Sequence, residues 1–529
     1  MCTRAHRIAT ASSRLSGTHV NLSNALNACF ARPSDATIAQ ERCAIQPQRR
    51  GVVPSPGRLT RLREALGASI FGFQDKNPGA CTIECPRIQW KREYRMYYGN
   101  TASFHRTAHT DHSYWLLMRA AHAKFGWERL ASFPSFADFT APYGYCFQKH
   151  KDAMRDRPIV SYSVHPLRRI LNMAARGFLF IFKNSGLESF TLHTVQDMLP
   201  TFTTWMDATG NMFGRFTRWL RYMGDIKEMF TRLPHDRIKP AVDFILDLCA
   251  STRRGRARVV CVEKRARGAV RFGRCNPDLL PQFANLTFSQ IREIIMADIA
   301  LCLFKSLGVW LQQYVGIPMG SPLSPVLAIC TCAYAEHQFH ASIRDSALFT
   351  EHRRYFFMRY VDDLFGVVAY DSRSRASLAL ARETLHRLVH DAYDPNLILK
   401  AEPVDGWFPL LSSLVHFPAS GPVAVRFHNK NWSALTQDGG GAIKFLKIQH
   451  RSSFMSAQDA RARILGALHR LHVSVSSEAL RLASVLEMFC EFRAQGYSAY
   501  TFCQALRAIA ERKETPVYGH MCPLIMHLR

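Results

Sequence analysis

Acidic residues are scarce in this chain: 41 Asp+Glu stand against 68 Lys+Arg over 529 residues, a formal net charge of +27. That excess calls for a polyanionic partner, either nucleic acid or an anionic membrane surface. Long hydrophobic runs are missing too. No stretch reaches the roughly 18 apolar residues of a membrane span, so nucleic acid is the expected partner and a membrane is not. Cys-x-x-Cys pairs are absent, and the 15 cysteines are scattered and odd in number. Length excludes a small disulfide scaffold and spacing excludes a zinc ribbon, so most cysteines read as buried thiols of a reducing compartment. Cys81 and Cys85 followed by His105, His109 and His112 come nearest to a metal cluster, but their spacing is loose and nothing orients the histidines. The first 34 residues carry no Asp or Glu. They also lack an apolar core like that of a secretory signal, which leaves an organellar transit peptide or a basic arm.

What is present is apolar and aromatic content, 47% and 11%, enough to bury large cores and exclude a disordered polycation. At about 150 residues per domain the chain holds three or four compact units. Residues 1–60 are Pro-, Arg- and Ser-rich, as in Pro47-Gln-Arg-Arg-Gly51 and Pro54-Ser-Pro-Gly57, and read as a basic arm or linker. Between 253 and 274 the cations Arg253, Arg254, Arg256, Arg258, Lys264, Arg265, Arg267, Arg271 and Arg274 interleave with Val259, Val260, Val262, Val270 and Phe272. This predicts a short hairpin with a basic outer face, gripping nucleic-acid backbone without regard to sequence. From Ser456 the pattern turns helical. Ser456-Ala-Gln-Asp459 is a capping box, and Ala460, Ile464, Leu465, Leu468 and Leu471 repeat at helical spacing. A second helix from about Ser477 places Leu480, Ala483, Leu486, Phe489 and Phe492 on one face, and a third runs from Ser498 to about Lys513. This helical unit follows a flexible Gly439-Gly440-Gly441 joint.

The segment that carries chemistry is Tyr355-Phe-Phe-Met-Arg-Tyr-Val-Asp-Asp-Leu-Phe-Gly-Val-Val368. Two runs of aromatic and β-branched residues flank Asp362 and Asp363, which predicts a hairpin with two carboxylates at its turn. Aspartate is common in turns. Here, however, two like charges at the tip of an apolar hairpin repel, and a divalent cation relieves that repulsion by taking both as hard oxygen ligands. A further carboxylate comes from Gly224-Asp-Ile-Lys-Glu-Met-Phe-Thr-Arg-Leu-Pro234, with Asp225 ahead of an apolar-containing run and Phe230 five residues on. Between the two lies Gly316-Ile-Pro-Met-Gly-Ser-Pro-Leu-Ser-Pro325, a Gly/Pro/Ser turn leading into a helix-compatible stretch. Its glycine permits close backbone approach to a ligand, and the helix start favours a phosphate or a base edge.

Taken together, the three segments resemble the palm of reverse transcriptases. Within that group the sequence is most similar to Penelope-like element reverse transcriptases, which are relatives of telomerase. Upstream, Lys149-His-Lys151 and Arg157-Pro-Ile-Val-Ser161 are similar to that family's fingers motif, and Asp75-Lys76 with Asn-Pro-Gly79 to its N-terminal Asp-Lys-Gly motif. The stretch from Phe445 to Tyr497 is similar to its thumb, so the resemblance covers about residues 65–512. It implies an α+β right-hand polymerase, with fingers, a palm of antiparallel sheet and packed helices, and a helical thumb. The expected divisions are 1–60, 61–200 for the N-terminal region and fingers, 201–436 for the palm with its basic 253–274 insertion, and 437–529 for the thumb and a C-terminal tail.

The resemblance further implies an RNA-directed DNA polymerase that extends a DNA primer or genomic 3′ end on an RNA template with dNTPs. Two Mg²⁺ ions, replaceable by Mn²⁺, would be held at Asp225, Ile226, Asp362 and Asp363. Lys151 and Arg157 match fingers positions that grip the incoming triphosphate, and Gly320, Ser321 and Pro322 would line the pocket between template base and nucleotide. Phe230 matches the sugar gate, where a ring excludes a ribose 2′-hydroxyl. Asp207 in Trp205-Met-Asp-Ala-Thr-Gly-Asn-Met-Phe213 is a rival first aspartate, disfavoured because small polar residues follow it; the stretch from Thr201 to Gly224 then reads as an insertion. Lys400 in Leu397-Ile-Leu-Lys-Ala-Glu402 is either a proton donor to pyrophosphate or an edge-strand surface lysine.

Two departures from the family stand out. Only 17 residues follow position 512, leaving no room for the endonuclease that many members carry, and Leu410-Leu-Ser412 stands where Phe-Leu-Asp is usual. A nuclear location is expected from the need for genomic 3′ ends, with an organelle as the alternative. The competing reading is a decayed or domesticated copy that only binds nucleic acid. A dedicated telomerase is not expected, since residues 1–65 offer little space for an RNA-binding domain.

Overall fold

The computed structural model describes residues 70–527 and single positions from 57 to 67, apart from 75–76, 150–151, 210–211, 266, 345–353, 419–421, 437–442, 444, 446–447, 452–455 and 514. The basic arm before residue 57, Asp75-Lys76, Lys151 and the Gly439–Gly441 joint therefore lie outside the described residues.

The first part of the chain builds a hairpin, β1 (Ile70–Gln74) with β2 (Asn77–Glu84), and then helix α1 (Pro86–Glu93), which runs on into a π-helical turn, Tyr94–Tyr98. Strand β3 (Phe104–Arg106), helix α2 (Asp111–Lys124), strands β4 (Tyr143–Lys149) and β5 (Asp152–Ser161) and helices α3 (Arg168–Lys183) and α4 (Met198–Thr209) follow. Next come β6 (Thr217–Ile226), helix α5 (His235–Ser251), strands β7 (Val259–Glu263), β8 (Val270–Phe272) and β9 (Phe283–Thr287), and helix α6 (Phe288–Ala300). The hairpin β10 (Leu303–Ser306) and β11 (Val309–Gln313) then leads to helix α7 (Ser324–Arg344). Strands β3, β11, β10, β4 and β5 form one five-stranded sheet in that order, mixed because β10 and β4 run parallel.

The central sheet has the order β12-β13-β6-β14, with β12 (Tyr355–Tyr360), β13 (Asp363–Asp371) and β14 (Leu399–Glu402), all neighbours antiparallel. Helix α8 (Arg375–Asp391) lies between β13 and β14 in the chain. The sheet is apolar on both faces because both are covered. Leu364 and Val368 belong to the main core shared with α3, α5, α6, α7 and α8, while Phe356, Phe365 and Val367 join Phe202 of α4 and Phe408 in a second cluster. The stretch 201–224 is thus not an insertion. Its first half is α4, and its second half is β6, the strand that pairs with β13 from Thr217 to Asp225.

Between residues 253 and 274 the expected hairpin exists as β7 and β8, but its charge is placed differently. Val259, Val260, Cys261 and Val262 are all buried, because β7 is the middle strand of the β8-β7-β9 sheet and lies against α3 at Gly177. The cations Arg253, Arg254, Arg256, Arg258, Lys264 and Arg265 are exposed in the turns at its two ends. Cys261 and Cys275 pair as a disulfide; of the free cysteines among the described residues seven are buried, in line with the reading of most as buried thiols, while Cys490 is half-buried and Cys85 is exposed.

A small sheet, β15 (Trp407–Leu410), β16 (Ser413–His416) and β17 (Ala424–Phe427), joins the centre to the helical unit. The Leu410-Leu411-Ser412 turn, with Leu411 at φ +56°, closes its first hairpin. The helices that follow are α9 (Ala457–Ser474), α10 (Glu478–Ala494), α11 (Ala499–Arg512) and α12 (Val517–His527). Each of the first three is capped by the expected serine: Ser456, Ser477 and Ser498 accept from Asp459, Leu480 and Thr501 N–H groups. Two details depart from the helical periodicity. On α10 the buried face is Val485, Met488, Phe489 and Phe492, and Ala483 is exposed. The residues after 512 are not a tail: α12 buries Tyr518, Met521, Cys522 and Ile525 in the same core. The sheet is tied to these helices through Ser476, whose N–H donates to the Val425 carbonyl (3.0 Å), and Asn431, whose amide donates to Glu491 (2.8 Å). No helix among the described residues is long and apolar enough to cross a membrane.

Candidate active site

The register of the central sheet brings the carboxylates together. Asp363 of β13 lies directly opposite Asp225 of β6, Asp225 lies opposite Lys400 of β14, and Asp363 lies opposite Tyr360 of β12. Directly opposed residues share a face, so Tyr360, Asp363, Asp225 and Lys400 form one row across four strands. Asp362 occupies the turn of the β12–β13 hairpin, and its carbonyl accepts the Ile226 N–H at 2.8 Å. One carboxylate oxygen from each of Asp225, Asp362 and Asp363 lies within 4.8 Å of the other two. No other group of three ligand-type side chains is this close among the described residues. Opposed like charges destabilise a sheet, and three hard oxygen donors in this arrangement suit Mg²⁺ or Mn²⁺. Ile226 is buried in the main core, so its backbone alone is available to a metal. Asp207 is an exposed residue of α4 and takes no part in the cluster.

A buried ion pair that the motif reading missed holds the Asp-Asp turn. Val361 adopts φ +58°, a left-handed conformation that a β-branched residue adopts only where the surroundings impose it. Its carbonyl accepts from the Arg359 guanidinium at 2.9 Å. That guanidinium also donates to Thr191 Oγ1 (2.7 Å) and the Ile329 carbonyl (3.2 Å), and is paired with Glu336 of α7; both charged side chains are fully buried. Glu336 in turn accepts from the Tyr393 hydroxyl (2.8 Å) and the Phe190 N–H (2.9 Å). Burial opposes the charge on Arg359, but the Glu336 carboxylate reverses this and raises its pKa. The available signal was a lone Arg inside the apolar run Tyr355–Tyr360, since a charge buried in a strand must have a partner.

The Gly316–Pro325 segment binds backbone on two sides. Ile317 N–H donates to the Phe230 carbonyl (2.6 Å) and Gly316 N–H to the Leu233 carbonyl (3.0 Å). Gly316 has φ +78°, and a Cβ there would stand 2.6 Å from the Phe230 oxygen. At Gly320 a Cβ would fall 2.0 Å from the Val160 carbonyl oxygen, so this glycine admits strand β5. The close approach expected toward a ligand is thus made, at both glycines, toward neighbouring backbone. Ser321 is buried and donates to Asp298 of α6 at 2.8 Å, turning its hydroxyl inward. Pro322 is half-buried beside it. Phe230, in the single helical turn Met229–Arg232, is half-buried against the main core. Arg157 sits on β5 three residues before Val160, opposite Phe147.

Burial raises the Asp298 carboxyl to about 6, with the Ser321 hydrogen bond opposing the shift. A folded pKa above the unfolded value stabilises the fold fully at low pH, and that stability is lost as pH rises through about 6. The difference from an ordinary aspartate carboxyl at 3.8 corresponds to roughly 3 kcal/mol. Asp298→Asn, which still accepts from Ser321, is therefore expected to be more stable than the wild type at pH 8 by up to that amount. The gap should close below about pH 4, and denaturant titrations across pH read it; a pH-independent difference would contradict the account.

No protein-family model matches the chain and no curated protein matches it in sequence. Solved structures do match. A telomerase from Candida albicans, in complex with a TWJ fragment of telomeric RNA, aligns with a TM-score of 0.53 and 11% identity over 89% of this chain and 70% of that one. A telomerase from Candida tropicalis, also in complex with a TWJ fragment of telomeric RNA, gives 0.50 and 10% over 94% and 71%. At such identity the likeness is one of fold. The chain has the α+β right-hand fold of these two telomerases.

Proposed function

We infer that the protein is an RNA-directed DNA polymerase of the reverse-transcriptase kind, extending a DNA 3′ end on an RNA template. The observation that carries the reading is the convergence of Asp225, Asp362 and Asp363, from two separate segments, at one end of the palm sheet. The residues fit two divalent cations: three oxygen donors, two half-buried and one exposed, open to a charged substrate. When bound, Mg²⁺ or Mn²⁺ would supply Lewis acidity at the primer 3′-hydroxyl and the α-phosphate. Asp225 and Asp362 would hold that charge in place, and Asp363 would complete the set. Arg157 and Lys151 offer cations to the triphosphate, Lys151 lying outside the described residues. Lys400, exposed and directly across from Asp225, is on the row from which a proton would reach departing pyrophosphate. The telomeric RNA fragment bound by the two similar telomerases supports an RNA template, and the segments Gly316–Pro325, Lys149–Lys151 and Arg157–Ser161 support the Penelope-like branch.

Phe230 sets the sugar preference in this reading. Phe230→Ala is expected to raise use of rUTP relative to dTTP by about tenfold or more, measured by single-nucleotide extension; an unchanged ratio would remove Phe230 from the gate. Primer extension on an RNA template tests the reading itself. Asp225→Ala should abolish incorporation and Asp207→Ala should leave it near wild type, whereas the reverse result would move the first aspartate to α4.

A further inference from the structure

Helix α1 and its π-helical continuation carry a surface that the catalytic reading does not use. No side chain of α1 is buried, and Ile88, Trp90 and Tyr94 are 53%, 50% and 43% exposed. A helix that leaves such residues in water has an unpartnered face. Along it, Trp90, Tyr94 and Tyr98 stack in a row: the Trp90 and Tyr94 ring centroids are 5.1 Å apart at 17°, and those of Tyr94 and Tyr98 are 5.2 Å apart at 8°. The Arg106 guanidinium closes the far end, 4.9 Å from the Tyr98 ring. Arg87, Lys91 and Arg95, all exposed, form a second row three residues behind the first, so each cation neighbours one ring on the helix surface. Glu93 is the one acid between Pro86 and Tyr98, and the Gln89 amide donates to it at 2.7 Å.

The platform is firmly mounted. Tyr97 is buried and its hydroxyl donates to the Tyr145 and Ile159 carbonyls, both at 3.1 Å, and the Tyr98 hydroxyl donates to the Ser306 carbonyl at 2.6 Å. Arg92 binds Asp156 of β5, the residue before Arg157, with its Nε 2.9 Å from Oδ2. The stripe is therefore fixed to the same strand as the candidate triphosphate cation. π-helical turns of this kind are rare and recur at functional sites.

We propose that Trp90, Tyr94 and Tyr98, with the flanking row Arg87, Lys91 and Arg95, form a stacking platform for single-stranded nucleic acid on the fingers side of the protein. Parallel rings beside a line of cations match what a single strand presents, flat bases joined by phosphates. An apolar protein surface would instead meet three cations along its edge. The inference goes beyond the polymerase reading and does not depend on catalysis.

The test is fluorescence anisotropy of the full chain with labelled oligo(U) and, separately, a blunt RNA duplex. Trp90→Ala/Tyr94→Ala is expected to weaken oligo(U) binding about tenfold or more. Trp90→Phe/Tyr94→Phe should stay within about twofold, since every aromatic ring offers a π-face, and duplex binding should not change. Unaltered oligo(U) affinity, or equal loss for the duplex, would overturn the proposal. Photocrosslinking of 4-thiouridine-containing oligo(U) to the wild-type protein provides a readout free of folding effects: label on the Pro86–Tyr98 segment supports the platform, and label confined to other segments overturns it. Loss of binding in the alanine variant of a protein that shows no polymerase activity would uphold the platform and reject the polymerase reading, so the two fail separately.

Discussion

Asp362→Ala is expected to reduce nucleotide incorporation by at least about a thousandfold while leaving nucleic-acid binding and thermal stability close to wild type. The reasoning is electrostatic. Asp362 is half-buried in a turn whose oxygens gather with those of Asp225 and Asp363 within 4.8 Å, so removing one carboxylate relieves repulsion in the metal-free protein. Stability should hold or rise slightly. In the proposed reaction the same carboxylate would hold cation charge at the point where negative charge develops, which no neighbouring side chain would replace. Single-turnover extension with a pre-annealed primer separates the two effects, because it reads chemistry after binding is complete. A variant that lost binding and activity together would place Asp362 in a structural role.

The second large effect concerns stability. Arg359→Met leaves Glu336 buried without its cation and is expected to cost about 3–5 kcal/mol, the usual penalty for breaking a buried pair. Arg359→Met with Glu336→Gln removes both charges, and most of that loss should return, since the Gln oxygen still accepts from the Phe190 N–H and its amide can donate to the Tyr393 hydroxyl oxygen. Activity should not return with it. The Val361 carbonyl loses its guanidinium donor in both variants, and the strained turn that presents Asp362 is no longer held. Denaturant unfolding against single-turnover rate gives the comparison. Recovery of activity in step with stability would mean that the pair only supports the fold.

These two residues also mark the limit of what a sequence shows. The β12–β13 hairpin was legible because two β-branched and aromatic runs bracket adjacent aspartates, and the C-terminal helices because apolar residues repeat at helical spacing behind Ser456, Ser477 and Ser498, which cap them. Strand β6 was hidden: Thr217–Gly224 sets Arg218 and Arg221 among Trp219, Leu220, Tyr222 and Met223, with no period-2 pattern, and so reads as an insertion ahead of Asp225. It is a strand because it pairs with β13 over nine residues, a long-range fact absent from local pattern. The Arg359–Glu336 pair joins residues 23 apart in the chain through packing of α7 on the sheet. Gly320 read as a ligand contact because a glycine reports that something comes close, without saying that the Val160 carbonyl is what comes. Burial of β7 was missed for a similar reason, since alternation within 253–274 was read as a two-faced hairpin when a third strand and α3 enclose it.

The most direct measurement is extension of oligo(dT) on poly(rA) by the purified full chain with dTTP and Mg²⁺ or Mn²⁺, resolved by product length. The expected result is a ladder of products that requires the divalent cation and the RNA template and vanishes in Asp362→Ala. A wild-type protein that binds the primer–template tightly yet adds no nucleotide with either metal would contradict it, leaving a nucleic-acid-binding protein with a polymerase fold.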